Sequence, residues 1–174
     1  MVSTPKHPNG AERVDHSAAV PTLPMLIGTA LGTGFSPFAP GTMGALLALV
    51  VWLGLSFLMS VHALFWLTLV LIVVFTLLGV WAANRLEPFW GEDPRRVVVD
   101  EVVGVWIPLL VADSSSWWQV LAAFVLFRFF DILKPLGVRR MEDFRGGVGV
   151  MADDILAGIY SLLILLVARW LTGL

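Results

Sequence analysis

The 174-residue chain is 58% hydrophobic and 14% charged, with a mean hydropathy of +0.87 and a formal charge of −2. Soluble domains run at about 45–50% apolar and about 25% charged, so this composition excludes an ordinary water-soluble domain and leaves a small polytopic membrane protein. The lack of cysteine removes thiol nucleophiles, thiolate-bound zinc and disulfides.

Residues 1–20 are polar, with no basic stretch leading into an apolar one, and read as a flexible cytoplasmic tail rather than a cleaved leader. Residues 21–174 are expected to form a single membrane-embedded domain. The apolar stretch 22–34 is only 13 residues long, too short for a hydrocarbon core of about 30 Å at about 1.5 Å per residue, and predicts a short re-entrant or interfacial helix. A loop with two prolines, Gly34 to Gly41, follows. Met43–Ser60 and His62–Ala82 predict two spans joined at Val61 in a tight hairpin. After the polar segment Asn84–Arg96, two further spans, Val97–Ala112 and Ser116–Leu133, flank the turn Asp113-Ser114-Ser115. Pro135–Met151 is polar and glycine-rich, and Asp153–Leu171 is the last span. The expected fold is all-α: a membrane helical bundle of about five spanning helices plus the short N-terminal one, without repeats or a second domain.

Basic residues orient this bundle. Arg85, Arg95, Arg96, Lys134, Arg139, Arg140 and Arg145 fall in two loops, while the turns at 60–62 and 113–116 carry none. The positive-inside rule therefore predicts cytoplasmic basic loops, a cytoplasmic N-terminus and an external C-terminus. Asp100 lies about 14 residues before the middle of the 113–116 turn and Asp131 about 16 after it, so helix rise sets both roughly 21–25 Å from that turn. Asp153 and Asp154, expected to begin the next outward helix, reach the same level.

Carboxylates beside hydrocarbon need a cation, a proton or water. Asp100-Glu101 and Asp153-Asp154 could each be a charged first turn favoured by the helix dipole. Taken with Asp131 at one depth, the five predict a hard-metal site, and oxygen ligands without sulfur or imidazole favour Mg²⁺, with Mn²⁺ or Ca²⁺ as alternatives. Arg128, Asp131 and Lys134 recur every three residues and are expected along one helix face, as a salt-bridge row or as phosphate-neutralising cations beside a metal ligand. Gly41-Thr42 can offer backbone N–H groups and a hydroxyl to an anion, or Thr42 can simply cap the helix. Gly146 and Gly147, after Arg145, either let backbone approach a phosphate or form a plain turn.

Three histidines, His7, His16 and His62, lie away from this face, which removes phosphohistidine chemistry and Ser–His relays. Walker and DxDxT signatures are missing, and no basic patch interleaved with aromatics suggests nucleic acid. Metal-assisted hydrolysis or transfer at a phosphate is left.

GTGFSPFAPGTMGAL, VVVDEVVGVWIPL, FRFFDILKP and GGVGVMADDILAG occur in that order and together resemble the phosphatidylglycerophosphatase A family over about residues 26–165. The resemblance implies a Mg²⁺-dependent inner-membrane phosphatase converting phosphatidylglycerophosphate to phosphatidylglycerol and phosphate. It also implies roles for Asp100, Glu101, Asp131, Lys134, Asp153 and Asp154. One departure is Arg145, where the family pattern leads to an expectation of His; no imidazole general acid is expected here. On this reading the five carboxylates supply metal ligands and one general base. Ser36, Gly41, Thr42, Arg128, Lys134, Arg139, Arg140, Gly146 and Gly147 are candidates to bind substrate. Rival readings are a lipid phosphatase acting on phosphatidic acid or an isoprenoid pyrophosphate, a cation- or proton-coupled transporter, and a non-catalytic scaffold.

Overall fold

Six α-helices and no strand make up the described residues, 19–135 and 137–173, of the computed structural model. They are α1 (Thr22–Gly28), α2 (Pro40–Ser56), α3 (Val61–Trp90), α4 (Val99–Leu109), α5 (Trp117–Leu133) and α6 (Gly147–Thr172), with 3-10 turns at Thr33–Phe35 and Val138–Asp143. Of the expected tail, all but Ala19 and Val20 lies outside the described residues, and so do His7 and His16.

The centre of the bundle is α4. Its sequence, VDEVVGVWIPL, is apolar on every side after the opening acids, and a helix without a polar face has to be enclosed. Accordingly α2, α3, α5 and α6 all pack around it, and ten of its 11 residues are buried. Indole groups tie the layers together without leaving polar atoms unpaired. Trp106 Nε1 donates to the Ala48 carbonyl at 3.1 Å, and Trp52 Nε1 donates to Thr68 Oγ1 at 3.1 Å. Phe75 meets Trp106 edge to face, with ring centroids 5.4 Å apart.

The closest seam joins α4 to α6. A Cβ placed on Gly158 would lie 2.5 Å from the Gly104 carbonyl oxygen, and one on Gly104 would run into the Phe127 ring. Small residues let two helix backbones approach where neither water nor lipid competes for the space. Because the obstacle at Gly158 is backbone, a methyl there has to push the helices apart. Gly158→Ala should therefore destabilise the protein by about 1–3 kcal/mol, the usual cost of overpacking a tight core, read as a lowered Tm in detergent.

Large apolar side chains face outward around the rest. Val50, Trp66, Val70, Leu77, Leu121, Phe129, Leu163 and Val167 are all exposed. By length and composition α3 and α6 are able to cross a membrane, while α2 and α5 have 17 residues each and α4 only 11. Element ends depart from the sequence expectation in several places, three of which bear on the site. First, α3 continues past Ala82 to Trp90, running through Pro88 in its last turn and ending at Gly91 with φ 85°. Second, α4 is shorter than 97–112, about 16 Å from end to end. Third, α6 begins at Gly147, so Asp153 and Asp154 lie two turns inside it rather than at its start.

The N-terminal segment is a short helix, as its length required. After α1 the chain turns through left-handed Ala30 and Leu31 and folds back along α3. Val98 N–H donates to the Gly28 carbonyl at 2.8 Å, and Phe35 packs edge-on against Trp90 under the Arg96 guanidinium. This contact holds the loop before α2 beside the start of α4. At the opposite end, the α4–α5 turn is closed by the Ser115 hydroxyl and N–H, which donate to Asp113 Oδ1 at 2.7 and 2.9 Å and hold that carboxyl below its usual pKa range.

Candidate functional site

The start of α4, the start of α2, the end of α5 and the second turn of α6 meet at one end of the bundle. Asp100 and Glu101 occupy the first turn of α4, and Asp154 reaches them from α6. One oxygen from each lies within 4.8 Å of the other two. Asp100 and Asp154 are 8% and 2% exposed, so bulk water does little to separate their charges.

Asp131 and Arg128, one turn apart on α5, form an ion pair, as the three-residue spacing predicts. Arg128 also stands 4.0 Å from Glu101 Oε1. Lys134 departs from that row. Helix α5 ends at Leu133, and Lys134 takes a left-handed conformation at φ 45°, which swings its side chain off the Asp131 face. Its ammonium instead donates to Asp153 Oδ2 at 2.6 Å. A non-glycine residue in this region costs about 1–3 kcal/mol of strain and is commonest at functional sites.

Asp153 and Asp154 part company for a geometric reason. Adjacent helical residues point about 100° apart, and because α6 has already run for six residues the pair cannot converge on one point. Asp154 joins Asp100 and Glu101; Asp153 does not. Of the five expected metal ligands, then, three are gathered, Asp131 is paired with Arg128, and Asp153 is paired with Lys134.

The gathered carboxylates suit a divalent cation. Asp100 Oδ1, Glu101 Oε2 and Asp154 Oδ2 are buried without a hydrogen-bond partner. With all groups ionised, five carboxylates oppose two cations, leaving three negative charges uncompensated. Only oxygen donors are present, the donor set of a hard ion.

The start of α2 completes this end. Pro40 opens the helix after left-handed Ala39, so Thr42 falls inside the first turn and is not the N-cap. Gly41 is pressed against the site: a Cβ there would run into Glu101 Oε1 and lie 3.4 Å from Arg128 Nη1. Ser36 spends its hydroxyl on Phe38, donating to the carbonyl at 2.9 Å and accepting from the N–H at 3.3 Å. Arg139 and Arg140 are exposed on the 3-10 turn. Gly147 N–H donates to Asn84 Oδ1 at 2.7 Å, so that amide is already engaged. With Gly146 and Asp153 it lines a cleft of about 260 Å³.

Asn84 and Glu87, which face this cleft region, were not singled out by the sequence. Continuing the helical period of α3 past Ala82 would have placed both on one face, three residues apart.

A family model described as Phosphatidylglycerophosphatase A matches residues 26–169. The chain is 36% identical over 139 residues to a phosphatidylglycerophosphatase A of Escherichia coli, covering 78% of this chain and 77% of that one. It is also 36% identical over 147 residues to a phosphatidylglycerophosphatase A of Haemophilus influenzae, covering 83% and 88%. A Bacteroides thetaiotaomicron protein, provisionally named a phosphatidylinositol-3-phosphatase, is 65% identical over 153 residues, covering 87% and 96%. No solved structure matches the chain.

Proposed function

The chain belongs to the phosphatidylglycerophosphatase A family, and on that premise we propose that it hydrolyses the terminal phosphate monoester of phosphatidylglycerophosphate with Mg²⁺ as cofactor. Water adds at phosphorus and the P–O bond to the glycerol breaks, giving phosphatidylglycerol and inorganic phosphate. The family makes the chain a phosphoric monoester hydrolase. The observation that carries the finer reading is the set of three carboxylates, two buried and one half-buried, each with an unpartnered oxygen, gathered at one end of an apolar bundle. We take that end as the cytoplasmic face of the inner membrane, because the basic loops lie there. The outward apolar faces of α2, α3, α5 and α6 then meet lipid, and α4 is shielded from it.

Asp100, Glu101 and Asp154 would hold the ion. When bound, it supplies charge neutralisation at the phosphate and makes a coordinated water more acidic. Arg128, whose Nε has no hydrogen-bond partner, would bind a phosphate oxygen from the side of α5. Lys134 adds a second positive charge at the same level, steadied by Asp153. To Asp131, outside the three and held beside them by Arg128, we assign the proton of the attacking water. The N-terminal turn of α2, with Gly41 and Thr42, closes the site and brings the positive end of a helix dipole to it.

Phosphate release from the detergent-solubilised protein tests this reading. Release from phosphatidylglycerophosphate should vanish on chelation and return with Mg²⁺. No release under any divalent ion would end it. The 65% identity to the Bacteroides protein favours a second substrate, phosphatidylinositol 3-phosphate, so both lipids belong in the assay beside phosphatidic acid.

A further inference from the structure

The cleft beside Asp153 is distinct from the three gathered carboxylates, and its chemistry differs from theirs. It forms where the last turns of α3, the turn Gly91–Pro94 and the segment Phe144–Gly147 meet α6. At about 260 Å³ it falls just under the range of sites for drug-sized ligands, a scale suited to a headgroup and not to an acyl chain. Glu87, Glu92, Asp93 and Asp153 line it, together with Arg145. A lining of this charge repels a phosphate. Ionised carboxylates only accept hydrogen bonds, so the ligand such walls recognise is one that donates them.

Asp153 supplies the independent sign that something is to be bound. It is 6% exposed, its Oδ2 is taken by Lys134, and its Oδ1 is buried without a partner. A buried acceptor left in that state is costly, and a donor from a ligand removes the cost. Asp93, held in a left-handed conformation at φ 45°, lines the same cleft as Asp153.

We propose that this cleft binds the polyol part of a lipid headgroup, with hydroxyls donating to Asp153 Oδ1 and Asp93 while the phosphate monoester lies at Asp100, Glu101 and Asp154. This rests on the phosphatase reading and names what that site selects: hydroxyl-bearing carbon between a lipid phosphodiester and a phosphate monoester. A glycerol unit and an inositol ring share this chemistry.

Equilibrium binding to the full-length protein in detergent, followed as a thermal shift, tests it without turnover. The probes are short-chain phosphatidylglycerol, short-chain phosphatidylinositol and inorganic phosphate, the last in the presence of Mg²⁺. Asp153→Asn should weaken whichever polyol lipid binds by about 10- to 100-fold, the worth of a hydrogen bond to a charged acceptor, and weaken phosphate much less. Asp93→Asn, at an exposed position, provides the same comparison with less risk to folding and should weaken the lipid several-fold. The two lipid arms separate glycerol from inositol. Equal weakening of lipid and phosphate, a changed Mg²⁺ requirement with unchanged lipid affinity, or no binding of either lipid by the wild-type protein would overturn the proposal. Polyol lipids that bind in this pattern to a protein that releases no phosphate would keep the cleft and remove the phosphatase reading.

Discussion

Asp154→Asn is expected to lower phosphate release by about 10³-fold or more while leaving the helical content unchanged. Amide and carboxylate are nearly the same size, so the buried position two turns into α6 still fills. What is lost is a negative charge facing Asp100 and Glu101. At about 1.36 kcal/mol per tenfold, that loss corresponds to roughly 4 kcal/mol of transition-state stabilisation, a reasonable share for one carboxylate of the proposed Mg²⁺ site. The apo protein should respond in the opposite sense. Removing one of several mutually repelling carboxylates relieves repulsion, so Tm in chelator should stay level or rise even as activity disappears. A variant with near-normal kcat at saturating Mg²⁺ would take Asp154 out of the chemistry.

Gly41→Ala is the second large effect, and it comes from a residue with no functional group. The added methyl occupies the space of Glu101 Oε1, and Arg128 Nη1 stands 3.4 Å away on the other side, so the carboxylate has to swing out of register. Misplacing a reacting group by about 1 Å costs on the order of 10²-fold. The helix itself gains, since alanine is favoured over glycine there by up to about 1 kcal/mol. Activity should therefore fall about 10²-fold with little change in Tm. Gly54→Ala, on the same helix and facing open space, is the control that should behave as wild type. Equal loss in both variants would trace the effect to α2 as a whole.

The existence and order of the helices could be read from apolar runs, and the acidic end from the placement of charge. Helix ends were harder, because α3 runs on through polar residues and Pro88, both of which read as a loop, and stops only at Gly91. The same bias hid the first turns of α6, where Gly147 and Gly149 read as a flexible loop yet begin a helix that passes against the Val80 backbone. Within the site, Arg128 and Asp131 were legible because their spacing is local. The Lys134–Asp153 pair, the Gly41–Glu101 contact and the Asn84–Gly147 hydrogen bond join residues 19, 60 and 63 positions apart. No local period encodes such partners; they follow from how the bundle closes.

The enclosure of α4 also bears on biogenesis. A segment of 11 residues that opens with two carboxylates is too short and too polar at one end to partition into a bilayer alone. It becomes stable only among neighbours, and the neighbour it packs against most closely, through Gly104 and Gly158, is α6, which follows it in the chain after α5. The acidic centre, which joins Asp154 of α6 to Asp100 and Glu101 of α4, therefore cannot form until α6 has been made and has packed against α4.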